Sequence, residues 1–470
     1  MAFGSWSAMI FYRLRKKVVV HTPSFASQQR GASMSSWAAQ AAALAVLSDV
    51  VAAPRSSLEA LVHRHAKARK LKPSERGETS DIVLAIARHQ ARIDWRLKRA
   101  GFPTNPENRL AAASALGVTA RPAAHRRGRS LHRAESDPSF RVRLGPGPLE
   151  TDAMDRRVRF ECPEWAWLPM IAAFGDMGVE LELRAFQCSA PLDLRVNTLK
   201  VIGREDEGGA RQAMIRKIHT AGLDCVPTKW SPLGIRLRDR VDLRTVPGLL
   251  EGYVEPMNEG SQIVAALVGA KSGEAVVDYC AGSGGKTLAL AAQMSNKGQL
   301  VALDVNADRL AEAKRRFARG GVGNAQRHLI TDGPGGGVDP WLKRRRGRFD
   351  AVLVDAPCSC VGTWRRRPAT RYAPQNVNLV ALQRSVLERA ARLTRPGGRL
   401  IYSTCTLLPD ENELQVQRFL DSAFGADWIH VTTEAAKKLA VPVDDDGFLR
   451  LTPSRHGTDG FFAAMLRRRL

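Results

Sequence analysis

Acidic residues are missing from the start of this chain. The first carboxylate is Asp49, whereas Arg13, Arg15, Lys16, Lys17 and Arg30 already lie among many Ser, Thr and Ala residues. That composition matches an organelle transit peptide. Residues 1–33 are therefore read either as a targeting segment or as a disordered extension ahead of a bacterial start at Met34. The expected locations follow from the choice: a mitochondrion or plastid in the first case, the bacterial cytoplasm in the second.

Cysteine is also scarce, with 7 residues at irregular spacing, and an odd number excludes a simple disulfide framework and implies a reducing compartment. No run of about 18 apolar residues occurs, which argues against a membrane-spanning helix and a membrane partner. No internal repeat is evident. Over the whole chain 47 Asp and Glu stand against 71 Lys and Arg, a formal charge of +24. Such a balance favours a polyanionic partner, nucleic acid first, although a solvated basic surface or a basic proteome would satisfy it too.

What is present divides the remaining 437 residues into four parts. Residues 34–115 read as an all-helical domain, from WAAQAAALAVLSDVV through SLEALVHRHAKARKL to DIVLAIARHQARIDWRLKRAG. Arg88, Arg92, Arg96, Lys98 and Arg99 recur there at about one helical turn, the pattern of a basic stripe able to bind RNA. Residues 116–155, rich in Pro, Gly and Arg, read as a basic flexible linker. Residues 156–260 alternate short strands and helices, an α+β segment. From 261 to 470 the alternation becomes regular and predicts a doubly wound, Rossmann-like α/β domain, with its ligand beyond the carboxyl ends of the strands.

The loop after the first strand of that domain reads VDYCAGSGGKT. A phosphate-binding Walker loop needs glycine at position 280, where Cys280 stands, and a dinucleotide fingerprint needs glycine or alanine at 287, where Thr287 stands. Asp278 at the mouth of the loop would repel an anion. A cationic ligand reverses the objection, and S-adenosylmethionine combines a sulfonium, an ammonium and a ribose. Asp304 ends the next strand, 22 residues after Gly282, at the offset where a carboxylate meets ribose hydroxyls. Asp332 and Asp355 follow two further strands, so Asp278, Asp304, Asp332 and Asp355 are expected to line one crevice.

Asp355 opens DAPCSC, and the following strand ends in IYSTCT. Amine methyltransferases carry a Pro-Pro-aromatic turn at the first place; a thiol there suits methylation at C5 of a pyrimidine instead. C5 is weakly nucleophilic until a thiolate adds at C6. Cys358 and Cys405 are both candidates for that nucleophile. Cys358 with Cys360 also suggests metal, but no second CxxC pair or nearby His supports a zinc site, and no metal is expected.

In LRVNTLK, EPMNEGSQ, DYCAGSGGKT, DAPCSCVGTWRRRP, YSTCTLLPDENE and HGTDGFFAAML, the chain from about residue 160 to 470 resembles the RsmB/NOP2/NSUN-type RNA cytosine-C5 methyltransferases. The helical region is similar to the NusB-like RNA-binding domain of their bacterial ribosomal RNA members. The resemblance implies that Cys405 is the nucleophile and that Cys358 assists product release. It also implies that Cys280, Ala281, Gly282, Ser283, Gly284, Gly285 and Lys286 wrap the methionine and ribose of S-adenosylmethionine. Asp304 would take the ribose hydroxyls, Asp332 would lie near adenine, and Asp355, oriented by Lys286, would face both cofactor and cytosine. Gly282 and Ser283 depart from the usual Ala-Pro, and Cys360 stands where glycine is usual. Arg365, Arg366 and Arg367 would suit RNA phosphates. The expected activity is cytosine-C5 methylation by a monomer, with small-subunit ribosomal RNA as target. A transfer RNA or other RNA target, or a non-catalytic ribosome-assembly factor, is the alternative.

Overall fold

A computed structural model describes residues 35–52, 58–120, 138–201, 207–239, 241–331, 338–372, 378–441 and 443–470. The extension 1–33 and Asp332 lie outside the described residues.

The helical region contains α1 (Trp37–Ala52), α2 (Leu58–Ala68), α3 (Pro73–Arg88), α4 (Gln90–Arg99) and α5 (Pro106–Ala115). Good helix formers dominate all five, and Pro at the first turn starts α3 and α5 without losing a hydrogen bond. Their apolar faces share one core around Val46, Leu61, Ile86, Ile93, Leu97 and Leu110. The stretch read as linker holds a further helix, α6 (Pro138–Leu144), whose Phe140 and Leu144 complete that core.

The basic stripe does not form as expected. Arg92 and Arg96 turn inward, because carboxylates and carbonyls wait there. Arg92 pairs with Glu161 at 3.0 Å and Glu150 at 3.2 Å, and Arg96 donates to the carbonyls of Leu144 and Pro148. Only Lys98 and Arg99 of the five are exposed.

After α7 (Arg156–Arg159) and α8 (Glu164–Gln187), which breaks at Gly175, comes a four-stranded antiparallel sheet. It is built from β1 (Leu192–Val196), β2 (Cys225–Pro227), β3 (Gly234–Leu237) and β4 (Val254–Pro256), with α9 (Glu207–Thr220) on one face. Asp193 on β1 ties this sheet to the next domain: Arg236 reaches it at 2.7 Å, and the backbone N–H of Glu259 donates to it at 3.1 Å.

Glu259 begins α10 (Glu259–Val268), which opens the doubly wound domain. There follow β5 (Ala275–Asp278), α11 (Gly285–Gln293), β6 (Gln299–Asp304), α12 (Ala307–Gly320), β7 (Ala325–Leu329), α13 (Pro340–Arg344), β8 (Phe349–Asp355), α14 (Leu379–Ala391) and β9 (Thr394–Thr404). The chain closes with α15 (Glu413–Leu420), β10 (Trp428–His430), α16 (Thr432–Lys438), β11 (Leu449–Leu451), α17 (Pro453–His456) and β12 (Phe461–Arg468). The strand order is β10-β12-β9-β8-β5-β6-β7, with β11 also on β12. β5 to β9 are parallel; β5, β6, β8 and the second half of β9 are largely buried, as their runs of Val, Leu and Ile anticipate, whereas β7 (AQRHL) at the sheet edge is partly exposed. β12 inserts antiparallel against β9, and β10 and β11 pair with it antiparallel. The order reverses between β5 and β8, so the crevice at that switch point receives the ends of β5, β8 and β9.

Candidate active site

The glycine loop leaves β5 and enters α11. Gly282 and Gly284 adopt left-handed φ angles of 54° and 78°. A side chain at Gly284 would place its Cβ 2.5 Å from the Phe317 ring of α12, so this glycine serves packing as well as turning. At Gly285 such a Cβ would stand 3.7 Å from the Arg316 guanidinium, in ordinary contact. The departure at Gly282 is thus favourable for the φ it adopts. Ser283 donates its hydroxyl to Glu312 at 2.8 Å, and its carbonyl accepts from Arg316 at 2.9 Å.

Asp278 does not line the crevice as its place at the strand end suggested. It is fully buried beneath the loop and accepts from Thr287 at 2.7 Å, while its other carboxylate oxygen has no partner. Burial pushes its pKa up to about 6, against the bonding from Thr287 and the charge of Lys286. Asp304 accepts from the Gly282 N–H at 2.7 Å and the Asn306 N–H at 2.8 Å, which holds the loop against the end of β6. The α12 helix is capped by Asn306 rather than by Asp304.

Lys286 bonds Asp355 at 2.6 Å, and Ser403 donates to the other oxygen of Asp355 at 3.2 Å. Burial alone would lower the Lys286 pKa, but Asp355 outweighs it and holds the ammonium above its ordinary range. Cys280 is pushed well above the thiol range, chiefly by burial, and its side chain packs against the sheet core.

The loops after β8 and β9 bring Cys358 and Cys405 together, with sulfurs 3.4 Å apart. Cys360 joins them, 3.6 Å from Cys405 and 4.0 Å from Cys358. Cys360 adopts φ 59°, the left-handed region, which explains why glycine is usual at that position and costs a β-carbon about 1 kcal/mol. Within the trio, bonding to Cys358 and Cys405 pushes the Cys360 pKa well below the thiol range. Cys358 is pushed well above it by its bonding to Cys360 and Cys405 and by burial. For Cys405 the bond with Cys358 acts downward, but bonding to Cys360 and burial outweigh it and raise it.

Three supporting features escaped the sequence reading. Glu411 accepts from the Ser359 N–H at 2.9 Å, from Thr406 at 3.3 Å and from Gln383 at 2.8 Å. One buried carboxylate therefore locks the neighbours of Cys358 and Cys405 together; burial raises its pKa. Asn412 bonds Thr404 and the Thr406 carbonyl beside it. Gly362 and Gly460 bring two backbones into contact: the Gly460 N–H donates to Gly362 at 2.7 Å, and a Cβ on Gly362 would stand 2.3 Å from the Gly460 carbonyl oxygen. The motifs PDENE and HGTDG carried the signal, since the first lies in the loop that follows β9 and the second runs polar and glycine residues directly into β12.

The triple arginine divides. Arg365 and Arg366 both grip buried Asp459 at 2.7 Å, and their charges hold its carboxyl below the usual range although burial alone would raise it. Arg365 is 6% exposed and is not available to RNA; of the three only Arg367 is exposed. The reason is local charge: a carboxylate within reach outcompetes solvent for a half-buried guanidinium. Trp364, fully buried, packs edge-on against Trp165 and Phe186 of α8, which fixes the loop to that helix.

A strand-end crevice at the switch point, a glycine turn opening a helix and carboxylates on successive strands define a Rossmann-like methyltransferase. The family model for the 16S rRNA methyltransferases RsmB/F matches residues 265–467, and the chain belongs to that family. The probable ribosomal RNA small subunit methyltransferase B of Synechocystis is 30% identical over 332 residues, which span 69% of this chain and 70% of that protein. Ribosomal RNA small subunit methyltransferase B of Pasteurella multocida is 32% identical over 244 residues, 51% of this chain and 52% of its own length. A crystal structure of a methyltransferase homolog protein from Pyrococcus horikoshii, 26% identical, covers 68% of this chain and 99% of its own with a TM-score of 0.54.

Membership in a methyltransferase family implies S-adenosylmethionine, and the residues present fit it. The carboxylates of Asp304 and Asp355, at the ends of β6 and β8, offer negative charge to a sulfonium and an ammonium. Gly282, Gly284 and Gly285 put no side chain between the loop backbone and a ligand. Cys280 to Lys286 would hold its methionine and ribose, with Asp304 at the ribose.

Proposed function

We propose that this chain methylates C5 of cytosine in RNA, with small-subunit ribosomal RNA as substrate, through a covalent bond between Cys405 and C6 of the base. The observation that carries the reading is the pair of thiols 3.4 Å apart at the ends of β8 and β9, beside the Lys286–Asp355 pair. The names of the relatives support the ribosomal substrate.

Cys405, after losing its proton, adds to C6, and the electron pair released into the ring makes C5 nucleophilic. Asp355 supports that addition by hydrogen bonding at N3 or the amino group, and Lys286 keeps it oriented. S-adenosylmethionine supplies the methyl group. Loss of the C5 proton then expels the Cys405 thiolate and restores the aromatic ring, and Cys358 assists this release. The ranking of the two cysteines follows the family pattern. A cytosine in a duplex is inaccessible, so the base is single-stranded or turned out into the crevice.

Bisulfite sequencing of RNA from cells lacking the protein tests the reading. One or a few methylated cytosines should disappear and return with wild type but not with Cys405→Ala. Sites in transfer RNA would move the substrate; unchanged RNA would refute the activity. Cys358→Ala should accumulate a covalent RNA adduct on a denaturing gel, and an adduct with Cys405→Ala instead would reverse the two roles.

A further inference from the structure

The methyl-transfer scheme uses two thiols, yet three meet in the crevice. The sulfurs of Cys358, Cys360 and Cys405 stand 3.4, 3.6 and 4.0 Å apart. In a tetrahedral zinc site with metal–sulfur bonds of about 2.3 Å, the edge between two sulfurs is about 3.8 Å. The three separations bracket that edge closely, so a metal ion can sit above the triangle without backbone movement. All three thiols are free and partly open to solvent.

From this geometry we infer that Cys358, Cys360 and Cys405 form a three-thiolate site for a soft divalent cation such as Zn2+, with a water or a small thiol in the fourth position. Three thiolates and a divalent ion leave one net negative charge, and Arg309 and Arg367, whose charges act on Cys360, favour it. Cys360 contributes because its left-handed φ turns its side chain toward the other two. Bound metal occupies Cys405, so on the mechanism proposed above it withdraws the nucleophile and inhibits methyl transfer reversibly. Binding requires deprotonation of the ligands, so affinity rises with pH.

Titration of the reduced full-length chain with Co2+ tests the site apart from the enzymology. One equivalent should bind with the sulfur-to-metal charge-transfer and tetrahedral d–d absorption of thiolate ligation, and Zn2+ should displace it. Cys360→Gly, which suits the local φ, and Cys405→Ala should each weaken binding by about tenfold or more. Cys188→Ala, an exposed thiol outside the trio, should leave it unchanged. An octahedral Co2+ spectrum, equal binding by Cys360→Gly, or loss of two titratable thiols to a disulfide in place of metal binding would each overturn the proposal. For the inhibitory role, half-inhibition of methyl transfer should need about tenfold more Zn2+ in Cys360→Gly, each protein being referred to its own metal-free rate. Absence of methyl transfer altogether would refute the proposed activity while the Co2+ titration still decides the site.

Discussion

Asp278 supplies a prediction whose size follows from its burial. Its carboxyl lies wholly inside the protein with one oxygen unpartnered, and its pKa stands at about 6 against 3.8 for the unfolded chain. An acid with a raised folded pKa destabilises the fold as it ionises, because the unfolded chain gives up its proton first. Stability contributed by the protonated form is therefore complete below pH 3.8 and lost as pH rises through about 6. At about 1.4 kcal/mol for each pH unit of displacement, ionisation costs the ligand-free protein roughly 3 kcal/mol. Asp278→Asn removes the titration while keeping an acceptor for Thr287. Urea unfolding of both proteins from about pH 4 to about pH 8 compares them directly, since every other titrating group cancels in the difference. The variant should gain on wild type with rising pH and level off at roughly 3 kcal/mol above pH 6. A difference that does not change with pH would refute the reasoning, as would one that falls.

Three other positions lend themselves to measurement. Asp459→Asn leaves Arg365 buried without its counter-ion and should lower stability by about 3–5 kcal/mol, read from the urea midpoint. By contrast Arg367→Ala should stay within about 0.5 kcal/mol of wild type in stability. The same variant should weaken RNA binding and reduce the slope of log affinity against log salt by about 0.7–0.9. Glu411→Ala deprives Ser359, Thr406 and Gln383 of their shared acceptor; a loss of about 1–3 kcal/mol in stability is expected. Its methyl-transfer rate should fall more steeply than its affinity for RNA, measured by turnover and by equilibrium binding.

Much of the catalytic domain was legible because its signals are local. Buried parallel strands read as unbroken Val, Leu and Ile runs, and a ligand loop must leave a strand end through glycine. The pairing of Lys286 with Asp355 was implied by the family resemblance, and Cys358 and Cys405 were legible as thiols at successive strand ends on the ligand side of the sheet. What stayed hidden depended on partners distant in the chain. Arg92 looked like a surface charge until Glu161, 69 residues away, drew it inward. Arg365 looked ready for phosphate until Asp459, 94 residues on, claimed it.

The residue order by itself thus determined the Rossmann-like class, the glycine loop, the carboxylate at the end of β6 and the two thiols at successive strand ends. Periodicity and turn chemistry act over a few residues, and these features need nothing more. Tertiary structure decided the rest. It buried Asp278 beneath the loop instead of opening it to the crevice, placed Cys360 within bonding reach of both other thiols, and made Glu411 the clasp between their loops. Each of these depends on the distance and dielectric between segments far apart in sequence, and only the packed fold sets those.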